Sequence, residues 1–260
     1  MSRCSWLLCA LVLLGALAAP YDPSTQHRDD AFHPPGSAYL LGTDEFGRDQ
    51  LSRLLYAGRL SLGCALLATA VSLGLAVLVG AASGFFGRRW DEVLMRCTEL
   101  FLALPWLYLL LAVRGALPLN LAPEAVFLLL SVGIGALGWP RPARLVRGIV
   151  LAAKEREYVY SARGFGAPSW YLLWRHILPE TKSVLWTQAG ILIPQFILAE
   201  ASLSFLGLGV AEPAASWGNM LSSLRDLHVL TTYWWMSLPS LFLLLFLLAW
   251  NALTAEENKV

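Results

Sequence analysis

E-Y-V-Y-S-A-R-G-F-G-A-P-S-W-Y-L-L-W-R-H-I-L-P, Glu157 to Pro179, is a polar-containing stretch set between long apolar runs. It belongs to a wider polar segment, residues 140–183, that carries eight basic side chains. Each would cost about 2.5–3.5 kcal/mol at the centre of a membrane helix, so the segment sits in water or against another protein. Its pattern predicts two short helices. Glu155–Arg163 reads as the first, closed by Gly164 and Gly166, which suit a helix terminus or a left-handed turn. Pro168 suits the first position of the second. There Trp170, Leu173, Trp174 and Ile177 fall at i, i+3, i+4, i+7 as one apolar stripe, and Pro179 ends the helix. Ser161, Ala162, Gly164, Gly166 and Ala167 make an elbow of small residues that a partner could approach closely. Pattern alone leaves two readings open: a hairpin relaying motion between a soluble partner and the flanking spans, or an ordinary cytoplasmic loop lying on the bilayer.

Working outward, the 260 residues are 57% hydrophobic and 14% charged, whereas soluble domains are nearer 25% charged. This is the composition of a polytopic membrane protein. Leu60–Phe86 is 27 residues without a charge, long enough to span with some tilt. Leu94–Val113 follows a charged turn and is expected to kink at Pro105. Ala125–Trp139 is a fourth span, and Arg141, Arg144 and Arg147 prolong it past the headgroups. Val184–Leu208 is a fifth, interrupted only by Glu200. Trp234–Leu253 is a sixth, with tryptophans near its ends as interfacial anchors. Residues 21–59 are polar, with Asp44 a plausible N-cap for a short surface helix through Phe46 to Tyr56.

Residues 1–20 admit both a cleaved signal peptide and a short first span, since about 17 apolar residues is the lower limit for crossing. Retention is expected because Pro20 is unfavourable beside the cleavage position. With six spans and an inside N-terminus, 13 of the 19 Lys and Arg fall on inner segments, which satisfies the positive-inside rule.

Catalytic chemistry finds little support. A P-loop needs Gly-Lys-Ser/Thr, and none of Lys154, Lys182 and Lys259 follows a glycine. H-E-x-x-H is absent, and Ser204 and Ser216 have no histidine at comparable depth to serve as base. Cys4, Cys9, Cys64 and Cys97 form no C-x-x-C pair and read as apolar packing residues. Two acids remain in the spans. Glu99 is expected to pair with Arg96 one turn away. Glu200 must face the bundle or a water-filled path, as an interhelical hydrogen-bonding group or a candidate translocation-pathway residue. Asp44, Arg48 and Asp49 shape an outer mouth, receive a soluble partner, or simply belong to a capped surface helix.

The hairpin resembles the cytoplasmic loop of ABC importer permease subunits. That family carries E-A-A, a glycine four residues after the last alanine, and an L-P about a dozen residues on. Here Tyr160, Ser161 and Ala162, then Gly166, then Leu178 and Pro179 stand at those spacings, with Tyr160 in place of the usual Glu. L-G-T-D-E-F-G-R-D-Q-L-S-R-L-L-Y-A-G-R-L-S-L, Leu41–Leu62, and A-S-L-S-F-L-G-L-G-V-A-E-P-A-A-S-W-G-N-M-L, Ala201–Leu221, resemble the dipeptide/oligopeptide/nickel permeases, the second, C-type subunit most of all. The resemblance implies an all-α type I permease fold of six transmembrane helices with a cytoplasmic coupling-helix hairpin. Its parts would be an N-terminal helix at 1–20, an extracytoplasmic segment at 21–59, and a permease domain at 60–260 with its coupling loop at 140–183. It implies a non-catalytic subunit that works without cofactor or nucleic acid. The partners implied are a second permease subunit, two ATPase subunits and an extracytoplasmic solute-binding protein. Tyr160, Ser161, Ala162, Gly166, Ala167, Leu178 and Pro179 would form the ATPase-coupling loop. A non-transporting scaffold that holds a soluble partner through the same hairpin is the alternative.

Overall fold

The computed structural model describes residues 3–116, 122–210 and 212–257. Among them, regular structure is helical apart from one antiparallel bridge between Thr43 and Asp49. The helices are α1 (Arg3–Gly15), α2 (Gln50–Phe86), α3 (Arg88–Ala103), α4 (Trp106–Ala116), α5 (Pro123–Gly138), α6 (Pro140–Lys154) and α7 (Glu157–Gly164). Then come α8 (Ser169–Phe205), the short α9 (Trp217–Met220) and α10 (Leu227–Thr232), and α11 (Leu238–Glu257). Among the described residues three helices are long and apolar enough to cross a bilayer, and the α5–α6 pair, bent by 48°, makes a fourth.

Several sequence boundaries move, each for a physical reason. The surface helix at Phe46–Tyr56 and the span from Leu60 are one continuous helix, α2, that begins at Gln50. Its cap is Asp49, whose Oδ2 accepts from Ser52 N at 2.8 Å. Asp44 is not available as a cap, because its Oδ1 already accepts from Phe46 N and Arg48 N and closes the D-E-F-G-R-D turn. Gly47 in that turn has φ +72°, and a Cβ there would lie 1.7 Å from the His27 carbonyl oxygen, so only glycine fits. Pro105 does more than kink the next helix. Leu104 is extended and separates α3 from α4, as the residue before proline prefers. The fourth span does run on into the basic segment, but through the bend at Trp139–Pro140. The connection after Ala116 lies largely outside the described residues, as do the side chains of Cys4 and Cys9.

Chain contacts separate two bodies. One comprises Met1–Leu66, Arg114–Ser131 and Ile193–Val260; the other comprises Leu67–Val113 and Val132–Leu192. In the first, α1 lies against the start of α2, where a Cβ on Gly58 would meet Val12 Cγ1 at 2.6 Å. Phe32 stacks on Tyr233 at 4.1 Å, and Trp235 Nε1 donates to the Thr43 carbonyl at 3.2 Å. In the second, α2 and α6 approach at backbone distance. A Cβ on Gly80 would fall 2.5 Å from the Ala143 carbonyl oxygen, and one on Gly84 would fall 2.8 Å from Val150. Ala81, Val146, Val150, Ala153, Val159, Leu172 and Ile177 form the core that results.

Candidate functional site

The hairpin grows directly from that core. Val159 of α7 and Leu172 and Ile177 of α8 are buried on α6. The elbow is closed by a Schellman turn: Ala167 N donates to Ala162 O at 3.1 Å and Gly166 N to Arg163 O at 3.0 Å. Gly166 takes φ +84°, the left-handed conformation this turn needs, and has open space around it. Pro168 stands one residue before the second helix, as its cap rather than its first residue. Pro179 does not end that helix. It sits in a tight turn, Leu178–Thr181, and the chain continues helically to Phe205.

The predicted apolar stripe does not form as one face. Leu172–Ile177 is wound as a π turn, wider than 3.6 residues. This brings Leu172 and Ile177, five apart, onto the buried side. Trp170 and Trp174 are left 67% and 69% exposed, and Phe165 at the elbow is 93% exposed. The hairpin therefore has a buried aliphatic side and an aromatic outer side. Tyr160, Ser161, Gly166 and Pro179 are exposed, whereas Ala162, Ala167 and Leu178 pack partly against the core. Tyr160 donates its hydroxyl to Glu155 Oε2 at 2.5 Å, and Tyr158 donates to Glu180 Oε1 at 3.1 Å. The bond to Glu155 pushes the Tyr160 phenol above its ordinary value. Sequence reasoning missed Phe165 and Glu155; the run G-F-G, an aromatic residue between two glycines, was the only available signal.

Glu200 is fully buried, at 0% exposure. Ser61 Oγ of α2 donates to its Oε2 at 2.9 Å and Ser204 Oγ to its Oε1 at 2.6 Å. Ser61 Oγ in turn accepts from Trp217 N at 3.0 Å. This knot fixes α9, whose start is a capping box between Ser216 and Asn219. Gly218 is required there because a Cβ would lie 2.6 Å from Ala201 Cα. The L-G-L-G run before it ends α8 in a second Schellman turn, with Gly207 at φ +80°.

Asp44 and Arg48 join a buried ion cluster. Arg48 Nε meets Asp44 Oδ2 at 2.6 Å, and Arg48 Nη1 and Arg53 Nη2 meet the Glu212 carboxylate at 2.5 and 2.9 Å. Both arginines are buried, while the Glu212 side chain is 45% exposed. Burial raises the Glu212 carboxyl, but the Arg53 and Arg48 charges outweigh it and hold the group below its ordinary 4.5. A depressed carboxylate stabilises above its unfolded value and stops doing so as pH falls through its folded value. The difference in melting temperature between the parent protein and Glu212→Gln is accordingly expected to stay constant from about pH 8 to 5. It should close only below the usual glutamate range; closure near neutrality would contradict the cluster. Two pairings differ from expectation. Arg96 meets Glu92 at 2.5 Å rather than Glu99, and Glu99 meets Arg144 at 3.4 Å.

A helical chain with spanning-length apolar helices is a polytopic membrane protein. Residues 76–255 match the family described as binding-protein-dependent transport system inner membrane component, and the chain belongs to that family. The chain is 38% identical to the di/tripeptide transport system permease protein DppC of Pseudomonas aeruginosa, covering 94% of this chain and 80% of that one. It is 32% identical to the dipeptide transport system permease protein DppC of Bacillus subtilis, over 95% and 75% of the two chains. With the oligopeptide transport system permease protein OppC of Bacillus subtilis it shares 34% identity, over 94% and 79%.

Proposed function

We propose that the chain is one of two permease subunits of an ABC importer for peptides or a related small solute. ATP hydrolysis belongs to two partner ATPase subunits, and a solute-binding protein delivers cargo from outside. The observation that carries this reading is the hairpin, which is packed onto α6 on one side and presents Phe165, Trp170 and Trp174 on the other. Exposed aromatic surface of that kind marks a contact site. Tyr160, Ser161, Gly166 and Pro179 face the ATPase, while Ala162, Ala167 and Leu178 hold the loop's shape. The identities shared with peptide permeases support the solute class.

In this reading α1 and the α3–α4 pair cross along with the four longer spans, residues 21–59 lie outside, and both termini and the 140–183 segment lie inside. The N-terminal helix is retained as the first span. Glu200 holds the wall of the passage, since both of its oxygens are engaged within the chain and it has no surface left for a solute.

Gly166→Trp tests the coupling contact. The bulky residue disfavours the left-handed turn, at about 1–2 kcal/mol, and fills the open space at the elbow. ATPase co-purification and ATP-driven uptake are expected to fall together, while the membrane-embedded amount of the variant stays near normal. Unchanged uptake would remove the elbow from the contact. Protease cleavage within 140–183 from outside intact cells would overturn the orientation.

A further inference from the structure

The second body contains a strut that the coupling loop alone does not explain. α3 begins at Arg88, which like its cap Gly87 has positive φ, 49° and 62°. A Cβ on Gly87 would meet nothing within 4 Å, so the backbone and not crowding calls for glycine. Left-handed backbone at a non-glycine residue such as Arg88 is uncommon and persists where its surroundings hold it. At its other end α3 stops at the extended Leu104 before Pro105. Between these two breaks it is fastened to α6 by side chains. Arg147 grips Asp91 with Nε to Oδ1 at 2.5 Å and Nη2 to Oδ2 at 2.6 Å, a two-point contact that fixes direction as well as distance. Ser83 Oγ of α2 donates to Asp91 Oδ1 as well. Two turns further along α3, Glu99 meets Arg144, one turn back along α6, so the fastenings run antiparallel. Lys154 then binds the last carbonyls of α2, Gly84 and Phe85, at 3.1 and 2.9 Å, where a cation also suits the helix dipole. α6 is thus fastened to α3 along its first half and middle, at Arg144 and Arg147, and to α2 at Lys154, the end from which the hairpin springs.

We propose that α3 is a lever, set at Gly87–Arg88 and jointed at Leu104–Pro105, and that the Asp91–Arg147 pair is the link through which the hairpin moves it during transport. Asp91 and Arg147 are positioning residues: they touch neither nucleotide nor solute. A packed interior transmits displacement instead of absorbing it, so the aliphatic core under the hairpin moves α6, and the ion pair makes α3 follow. The proposal rests on the importer reading above.

The test uses the complete importer in proteoliposomes, with partner association, ATP hydrolysis and solute uptake measured on the same preparation. Asp91→Asn and Arg147→Gln are expected to keep ATPase association and hydrolysis, while uptake per ATP drops about tenfold, within the usual range of coupling between sites. The exchange Asp91→Arg with Arg147→Asp should recover most of that ratio. A merely structural pair would lower the amount of complex and leave the ratio unchanged, which overturns the link. Spin labels on the native Cys97 of α3 and on Ala152→Cys of α6, with the other cysteines replaced by alanine, supply a second reading. Their separation should be the same in nucleotide-free and ATP-trapped complexes. A change in that separation means that α3 does not travel with α6 and also overturns the proposal. If the parent chain retains no ATPase at all, the importer reading fails first, an outcome separate from a failed link.

Discussion

Arg53→Met is expected to destabilise the protein by about 1–3 kcal/mol, less than a fully buried pair would lose, because the Glu212 carboxylate left behind is 45% exposed and keeps Arg48. Arg53 is buried, and its guanidinium meets both oxygens of Glu212 and approaches Asp44 Oδ2 at 3.6 Å. Methionine fills similar space without charge, so the loss is electrostatic. The Asp44 and Glu212 carboxylates would then share Arg48 alone. The double variant Arg53→Met with Glu212→Gln should regain part of the loss, because it removes one unpaired charge along with its partner. Arg28→Met, at an exposed side chain bonded to Gln26, should change little. Melting in detergent checks all three; a near-neutral Arg53→Met would mean that the cluster is not buried in the folded membrane protein.

Gly80→Leu should be comparably damaging and act through shape alone. The added Cβ would stand 2.5 Å from a backbone oxygen, Ala143 O, and 2.8 Å from Val146 Cβ. Neither atom is the free end of a flexible side chain, so α2 and α6 must part. Overpacking commonly costs about 1–3 kcal/mol and more where backbones must move. Separation would also thin the core around Val146 and Val150. Gly74 in the same helix gives the internal contrast. A Cβ there meets nothing within 4 Å, and Gly74→Ala should stabilise by up to about 1 kcal/mol through helix propensity. The opposite signs at two glycines of one helix are the result to look for in thermal melts of the purified variants.

The features legible in the sequence were those set by local chemistry. The G-F-G elbow, a helix before it and another after Pro168 follow from residue preferences over a few positions. The apolar runs marked the spans for the same reason. Boundaries were misread where two residues competed for one role. Asp44 and Asp49 are both good caps, and only the folded loop shows that the arginines and the turn have already taken Asp44. The ion pairs between helices escape such a reading because periodicity sees only neighbours on one helix. Glu99 looks toward Arg96 in the sequence and finds Arg144, 45 residues away; Arg147 finds Asp91 across 56. Glu212 gave no local signal at all, since its value lies in two arginines more than 150 positions upstream. The aromatic stripe failed for a different cause: its spacing assumed 3.6 residues per turn, and the chain there winds wider.

That wide turn makes the second hairpin helix a register device. A π turn holds one residue more than an α turn would. The surplus residue can be lost without breaking the helix, but every position before it would then swing about 100° around the axis. Trp170 would leave the outer face while Ile177 and everything after it stayed in place. The length of Leu172–Ile177 therefore matters independently of its composition. Five residues there would keep the helix; only six keep the aromatic side pointing outward.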